Sequence, residues 1–168
     1  MKSIFKLIAI TFLTIAPLTA AAQSNVAHIN VQQLISEMPE VISAQNELAK
    51  LEKDYTTQID NAFKEFQTKA QTYSADAANQ TDVTNQARQK ELESMQTNLQ
   101  EFRDSAAQEL QKKQMDLMTP LLEKARDAIT KVGKEQGFDY VIDSSPNGGI
   151  ILADGKNLLE DVKKELGF

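Results

Sequence analysis

The chain has no cysteine, no tryptophan and only one histidine, His28. Without cysteine it can form no disulfide, carry no lipid-modified cysteine anchor and offer no thiolate ligand to a metal. A lone imidazole with no second histidine and no adjacent acid is more typical of an exposed strand residue than of a metal ligand or a catalytic base. We therefore predict no metal, no cofactor and no enzymatic activity.

Glycine and proline are scarce over most of the chain. All six glycines lie at or beyond Gly133, and Pro120 is the one proline between Pro39 and that point. Apolar residues in this stretch recur every three or four positions, which predicts amphipathic helix from about Pro39 to Glu135. A polar run at 74–81 divides it into two legs. The sequence thus predicts an antiparallel helical hairpin, a coiled-coil arm of about 55–60 Å with its tip near 74–81.

The two legs carry matching apolar stripes. Antiparallel alignment of these stripes pairs Tyr55 with Phe102, Ile59 with Leu99 and, near the tip, Ala70 with Ala87. Large residues often face small ones, as interdigitated packing requires. A single narrow stripe gives a weak seam, so the arm needs a base. The predicted arm seam consists of Leu48, Leu51, Tyr55, Ile59, Phe66, Leu92, Met95, Leu99, Phe102 and Leu110.

The first 22 residues have the pattern of an export signal. Lys2 and Lys6 precede an apolar run from Leu7 to Leu18, and small residues follow at 20–22. The apolar run is too short to serve as a membrane anchor. We predict a signal peptide cleaved after Ala22, no integral membrane anchor, and a destination in a bacterial-type envelope compartment or outside the cell.

The chain is acidic, with a formal net charge of −6. Loss of Lys2 and Lys6 with the signal segment takes the 18 basic residues to 16 against 24 acidic ones, a net charge of −8. Such a charge disfavours nonspecific binding to nucleic acid or to anionic membranes. We predict no nucleic-acid partner.

The residues outside the arm predict a small α+β body. Asn25–Val31 alternates polar and apolar residues, as a half-buried strand does. Phe138–Asp143 and Gly149–Ala153 read as two strands of a hairpin joined by a short turn. Asn157 is placed to cap a last helix over Leu158–Leu166.

The boundary between arm and body is predicted from proline and glycine. Pro120 should kink the returning helix, and Gly133 and Gly137 should stop it. So small a body favours oligomerisation. The predicted division is a signal peptide at 1–22, a β-rich assembly body with a C-terminal helix at 23–38 and 121–168, and the arm at 39–120.

The terminal blocks of the mature chain carry a family resemblance. They are Val26–Gln32 with Ser36–Pro39, Pro120–Ala125, Gly137–Asp143 and Leu158–Val162. With the hairpin between them, they resemble the Skp/OmpH family of periplasmic chaperones. The resemblance implies a homotrimer whose three arms enclose a cavity and hold unfolded outer-membrane proteins without ATP. Because this chain is acidic and its tip run lacks Lys and Arg, we do not assign it a lipopolysaccharide or lipid site on the basis of the resemblance.

Four apolar residues are the candidate contacts with an unfolded client: Phe63, Tyr73, Val83 and Met115. Phe63 lies off both stripes, beside the seam, so we expect an exposed aromatic ring. The alternative function is a structural or adaptor coiled coil of the cell envelope, whose arm binds one folded partner. A specific partner helix usually needs a second clear apolar stripe, and the Ala- and Gln-rich arm surface instead favours promiscuous binding.

Overall fold

The structure, a computed structural model, describes residues 24–146 and 149–168, so the predicted signal peptide lies outside the described residues. None of the helices in these two ranges is long and apolar enough to cross a membrane. The predicted α+β class and the long helical hairpin are confirmed. The elements in chain order are β1 (Val26–Ile29), α1 (Val31–Glu37), α2 (Pro39–Asp76), a 3₁₀ turn (Ala77–Asn79), α3 (Asp82–Glu135), β2 (Tyr140–Asp143), β3 (Lys156–Asn157) and α4 (Leu159–Leu166).

Helices α2 and α3 form the arm, and the local sequence explains where they begin. Pro39 starts α2, a position that proline favours because its missing N–H would have no partner in the first turn. Thr81 caps α3, since its hydroxyl accepts a hydrogen bond from the Thr84 amide at 3.2 Å. With 38 residues, α2 extends for about 57 Å.

The returning helix runs from the tip into the body without interruption. It continues through Pro120 and ends at Glu135. Gly137 follows in the left-handed conformation, with φ of 75°, which glycine adopts without steric penalty. The Phe138 amide then bonds to the Gly133 carbonyl at 3.0 Å and closes the helix end.

Gly133 does not stop the helix, so that part of the prediction is wrong. It is a buried residue within α3. A Cβ at this position would lie 2.8 Å from Val141 Cγ2 on β2. Gly133 therefore allows the helix to approach the sheet closely, and its role is in packing.

The sheet has the order β2–β1–β3, and both pairings are parallel. Val26 lies opposite Tyr140 in the first pair, and His28 lies opposite Asn157 in the second. The predicted hairpin between 138–143 and 149–153 is therefore wrong: β2 and β3 each pair with β1. Strand β1 is therefore hydrogen-bonded along both of its edges. If the two outer strands paired with each other as a hairpin, one edge of β1 would lack a partner strand.

Residues 149–153 are not a strand in this chain. Gly149 has φ of 74°, and Ile151 and Leu152 are 102% and 81% exposed. An apolar run signals a strand through its periodicity, but the signal does not say which strand it pairs with. The run instead leaves apolar surface on the outside of the body.

Strand β1 is shorter than predicted because a helix cap follows it. Asn30 Oδ1 accepts a hydrogen bond from the Gln33 amide at 2.9 Å, and α1 begins at Val31. The predicted strand over Asn25–Val31 is thus wrong at its end. Ala27 and Ile29 do face the interior, each 1% exposed.

The buried core joins the sheet to the base of both arm helices. At the edge of this core, Asn157 Oδ1 accepts a hydrogen bond from the Leu159 amide at 2.9 Å, at the start of α4. Because Met38 and Val41 are in this core, the outgoing helix is fixed where it leaves the body. The largest fully buried side chains are Ile29, Leu34, Met38, Val41, Leu158 and Val162, and α3 adds Ala125, Ala128 and Val132.

Gly133→Ala should destabilise the body. The new Cβ would overlap Val141 Cγ2, and overpacking of this kind costs about 1–3 kcal/mol. Alanine has a higher helix propensity than glycine, which offsets about 1 kcal/mol of this cost. We expect the free energy of unfolding to fall by about 1 kcal/mol, measured by urea denaturation with circular dichroism. Adding Val141→Ala should make Gly133→Ala less harmful than in the parent. A Gly133→Ala protein as stable as the parent would contradict the close approach.

Candidate functional site on the helical arm

Two ion pairs align the arm helices near the body. Lys113 Nζ lies 2.8 Å from Glu47 Oε1, and Lys124 pairs with Glu40. The hydrogen bond to Glu47 raises the pKa of Lys113. All four side chains are substantially exposed, so these pairs add alignment more than stability.

Apolar contact between the helices is concentrated in the middle of the arm. The rings of Tyr55 and Phe102 meet edge to face, with centroids 6.0 Å apart, and Leu99 and Ala106 are buried. No residue from 45 to 98, a range described throughout, is fully buried. The arm is therefore held by contacts that remain partly open to solvent. The half-buried seam residues are Leu48, Leu51, Tyr55, Ile59, Phe66, Leu92, Met95, Phe102 and Leu110.

Toward the tip the contacts become polar. Ala70 is half-buried, but Ala87 is exposed, so Ala87 adds little to the seam. The carboxylate of Glu91 accepts hydrogen bonds here from Lys69 Nζ at 2.6 Å and from the Tyr73 hydroxyl at 2.7 Å. A charged side chain thus joins the two helices where small apolar residues were expected.

A second polar contact lies closer to the turn. Arg88 Nη2 donates to Asp76 Oδ2 at 3.1 Å, and the guanidinium lies 4.7 Å from the centroid of the Tyr73 ring. Asn85 Nδ2 also donates to the Ala77 carbonyl at 2.9 Å. We call the charged and aromatic side chains of this region the tip cluster: Lys69, Tyr73, Asp76, Arg88 and Glu91.

The hydrogen bonds of the tip cluster favour its charged groups. Bonds from Lys69 and Tyr73 lower the pKa of Glu91, and bonds from Arg88 and Asn79 lower the pKa of Asp76. The bond to Glu91 raises the pKa of Lys69. The cluster is therefore an ionic contact at neutral pH.

Phe63 forms an aromatic surface beside the middle of the seam. It is 39% exposed, its ring stacks on Phe66 with centroids 6.5 Å apart, and the Arg103 guanidinium lies 6.0 Å from its centroid. Together with Leu99 and Gln96, these residues line an open groove of about 450 Å³. The groove can accept an apolar or aromatic side chain next to a positive charge.

The other three candidate contact residues differ in accessibility. Val83 near the tip is 77% exposed, and Met115 nearer the body is 54% exposed. Tyr73 is half-buried, with its hydroxyl bonded to Glu91 and its ring beneath Arg88. With these contacts in place, Tyr73 therefore has little surface available for contact with a client.

Sequence reasoning missed an apolar surface on the outside of the body. Tyr140 is 61% exposed on β2. Val26, Ile142, Ile150 and Leu152 line a shallow depression of about 210 Å³ beside it. The signal for this surface is the apolar run after Gly149, whose pattern predicts a hairpin strand instead. The body of one chain leaves this surface uncovered.

The polar residues of the body have structural roles. His28 is half-buried with Nδ1 3.0 Å from Ser144 Oγ, so its prediction as an exposed residue is wrong. Ser145 Oγ donates to Asp143 Oδ1 at 2.6 Å and accepts from the Gln32 amide at 3.1 Å. These bonds tie the end of β2 to the start of α1. Within residues 24–146 and 149–168, no group of His, Asp and Glu is arranged to hold a metal ion.

The fold and its surfaces define a class of protein: a helical-hairpin arm with an open seam, carried on a small body with an uncovered apolar face. The family model described as "Outer membrane protein (OmpH-like)" matches residues 25–166. The chain belongs to this family, which confirms the resemblance in its terminal blocks.

Curated relatives of similar length match nearly the whole chain. The Chaperone protein Skp of Yersinia enterocolitica is 26% identical over 160 residues, which are 92% of this chain and 93% of that protein. The Chaperone protein Skp of Pectobacterium atrosepticum is 20% identical, with 90% of each chain covered. That of Photorhabdus luminescens is 22% identical, with 88% of each covered.

A disulfide can test the register of the seam. Ile59→Cys with Leu99→Cys should form an intrachain disulfide under mild oxidation, because the two residues are expected to face each other. The parent chain has no cysteine, so loss of free thiol without disulfide-linked dimers on a non-reducing gel reports this bond. Ile59→Cys with Leu110→Cys is the control, since position 110 lies about 16 Å farther along α3. More complete oxidation of the control pair would mean that the register is wrong.

Proposed function

We propose that the protein is an ATP-independent holdase chaperone of the periplasm, which binds unfolded outer-membrane proteins between helical arms and prevents their aggregation. The observation that carries this proposal is the family match over residues 25–166, which spans arm and body alike. The relatives that match over both regions are named as Skp chaperones. The predicted signal peptide at 1–22 supports export to the periplasm.

The arm surface supports weak binding to many sequences. Phe63 with its groove, Val83 and Met115 are accessible at three different heights along the arm. Methionine and phenylalanine adapt to many apolar partners, and an unfolded chain can engage several such points at once. Avidity then replaces a single tight site. Tyr73 would join these contacts only where the tip opens.

The body supports assembly. Its uncovered face includes Tyr140, Ile151 and Leu152, and β2 and β3 each pair with one strand only among the described residues. Exposed apolar surface next to open strand edges favours association of identical bodies. We propose a homotrimer, the number that the family resemblance implies, with three arms around one cavity.

Shortening the arm tests the function. Replacing residues 55–102 with a short Gly-containing turn removes the Phe63 groove and Val83 but retains the body and the arm base. We expect this variant to sediment as a trimer and to lose most of its ability to suppress light scattering when urea-denatured porin is diluted. Its shortened arms could no longer surround a client.

The unmodified mature chain is the control in the same assay. Full suppression of scattering by the trimeric, arm-shortened variant would contradict the proposal. Failure of the unmodified chain to suppress scattering would favour an adaptor that binds one folded partner. A compact monomer at micromolar concentration would contradict the trimer.

A further inference from the structure

The contacts between the arm helices change in kind between the middle and the tip. Up to Phe66 on α2 and Leu92 on α3, half-buried apolar side chains meet across the seam. Beyond them, Ala70 and Ala77 are only half-buried, and Ala87 and Val83 are exposed. Since burial of apolar surface is the main source of cohesion between helices, little of it holds the tip closed.

The tip cluster takes over where the apolar contacts end. Lys69 and Tyr73 on α2 bond to Glu91 on α3, and Arg88 on α3 bonds to Asp76. Every one of these bonds crosses between the helices. Each joins at least one charged group, and such bonds are strong only while the charge persists and is not screened.

The closed tip also carries an unfavourable contact. The Arg88 side chain is 21% exposed, and its Nη1 is buried with no hydrogen-bond partner among the described residues. A buried donor without an acceptor costs free energy that water would recover on opening. This contact therefore offsets part of the stabilisation that the tip cluster supplies.

We propose that the distal end of the arm, residues 69–91, opens as a unit of its own, closed by the tip cluster and released at acid pH or high ionic strength while the Tyr55–Phe102 contact stays closed. Opening frees the ring and hydroxyl of Tyr73. The arm thereby gains apolar surface at its end.

The direction of the pH effect follows from the groups around Glu91. Lys69 and Tyr73 bond to it from α2, the charge of Arg88 lies near it on α3, and Glu65 lies 3.7 Å from Lys69 within α2. Their bonds lower the pKa of Glu91, so its contribution is present above the ordinary carboxylate pKa of about 4.3 and is lost as pH falls through the lowered value. Protonated Glu91 no longer holds Lys69 across the two helices.

Hydrogen–deuterium exchange of the full mature chain tests the proposal through Glu91→Gln. This change keeps the size of the side chain and removes its charge. We expect exchange at residues 69–91 to become about two- to fivefold faster, with residues 55–66 and the buried part of α3 unchanged. Raising the salt concentration should speed exchange at 69–91 in the parent and have a smaller effect in the variant, which lacks the Lys69–Glu91 pair but retains the Arg88–Asp76 pair.

Glu93→Gln is the matched control. Glu93 is exposed on the same helix, and its carboxylate bonds to Gln89 within α3 instead of crossing to α2. The Glu93→Gln substitution should leave exchange at residues 69–91 unchanged. The charge reversal Lys69→Glu with Glu91→Lys should exchange more slowly there than either single variant. Equal effects of Glu91→Gln and Glu93→Gln, unchanged exchange in Glu91→Gln, or faster exchange along the whole arm would overturn the proposal.

Discussion

A hairpin of two helices can bury only one narrow stripe on each helix, because each stripe has a single partner. This limit explains why residues 45–98 include no fully buried side chain, although apolar residues recur throughout. It also explains why both helices need a body at their base, where Met38, Val41 and Ala125 are buried against the sheet and α4. Apolar contact thus weakens from the middle of the arm to its tip, and the apolar surface that the stripe leaves exposed is available for binding.

The two ends of the molecule leave different kinds of surface uncovered. On the body, Tyr140, Ile151 and Leu152 are exposed, and the outer strands each pair on one edge only among the described residues, which suits covering by another copy of the chain. On the arm, Phe63 and Met115 are spaced apart and surrounded by polar residues. Spaced contacts suit a chain without fixed structure, because no rigid partner surface is required. The proposed division between assembly and holding follows from this difference.

Sequence reasoning succeeded where a pattern depends on one element alone. Helical periodicity and the scarcity of glycine predicted the hairpin and its tip, because each helix carries its own signal. The errors concern pairing between elements. Gly149–Ala153 has a strand pattern, yet β1 is the partner of both outer strands; Gly133 has the residue type of a helix stop, yet Val141 lies against it. The tip cluster was missed because Glu91 and Arg88 resemble ordinary surface charges until the opposite helix is in place.

The most direct test of this division is site-specific photo-crosslinking with p-benzoylphenylalanine at position 63 or at position 140. Each probe is placed in the otherwise unmodified mature chain and illuminated in the presence of a diluted, urea-denatured porin. The account predicts that the probe at 63 crosslinks to the porin and that the probe at 140 crosslinks to a second copy of the chain. Crosslinking of the porin from position 140, with none from position 63, would contradict it.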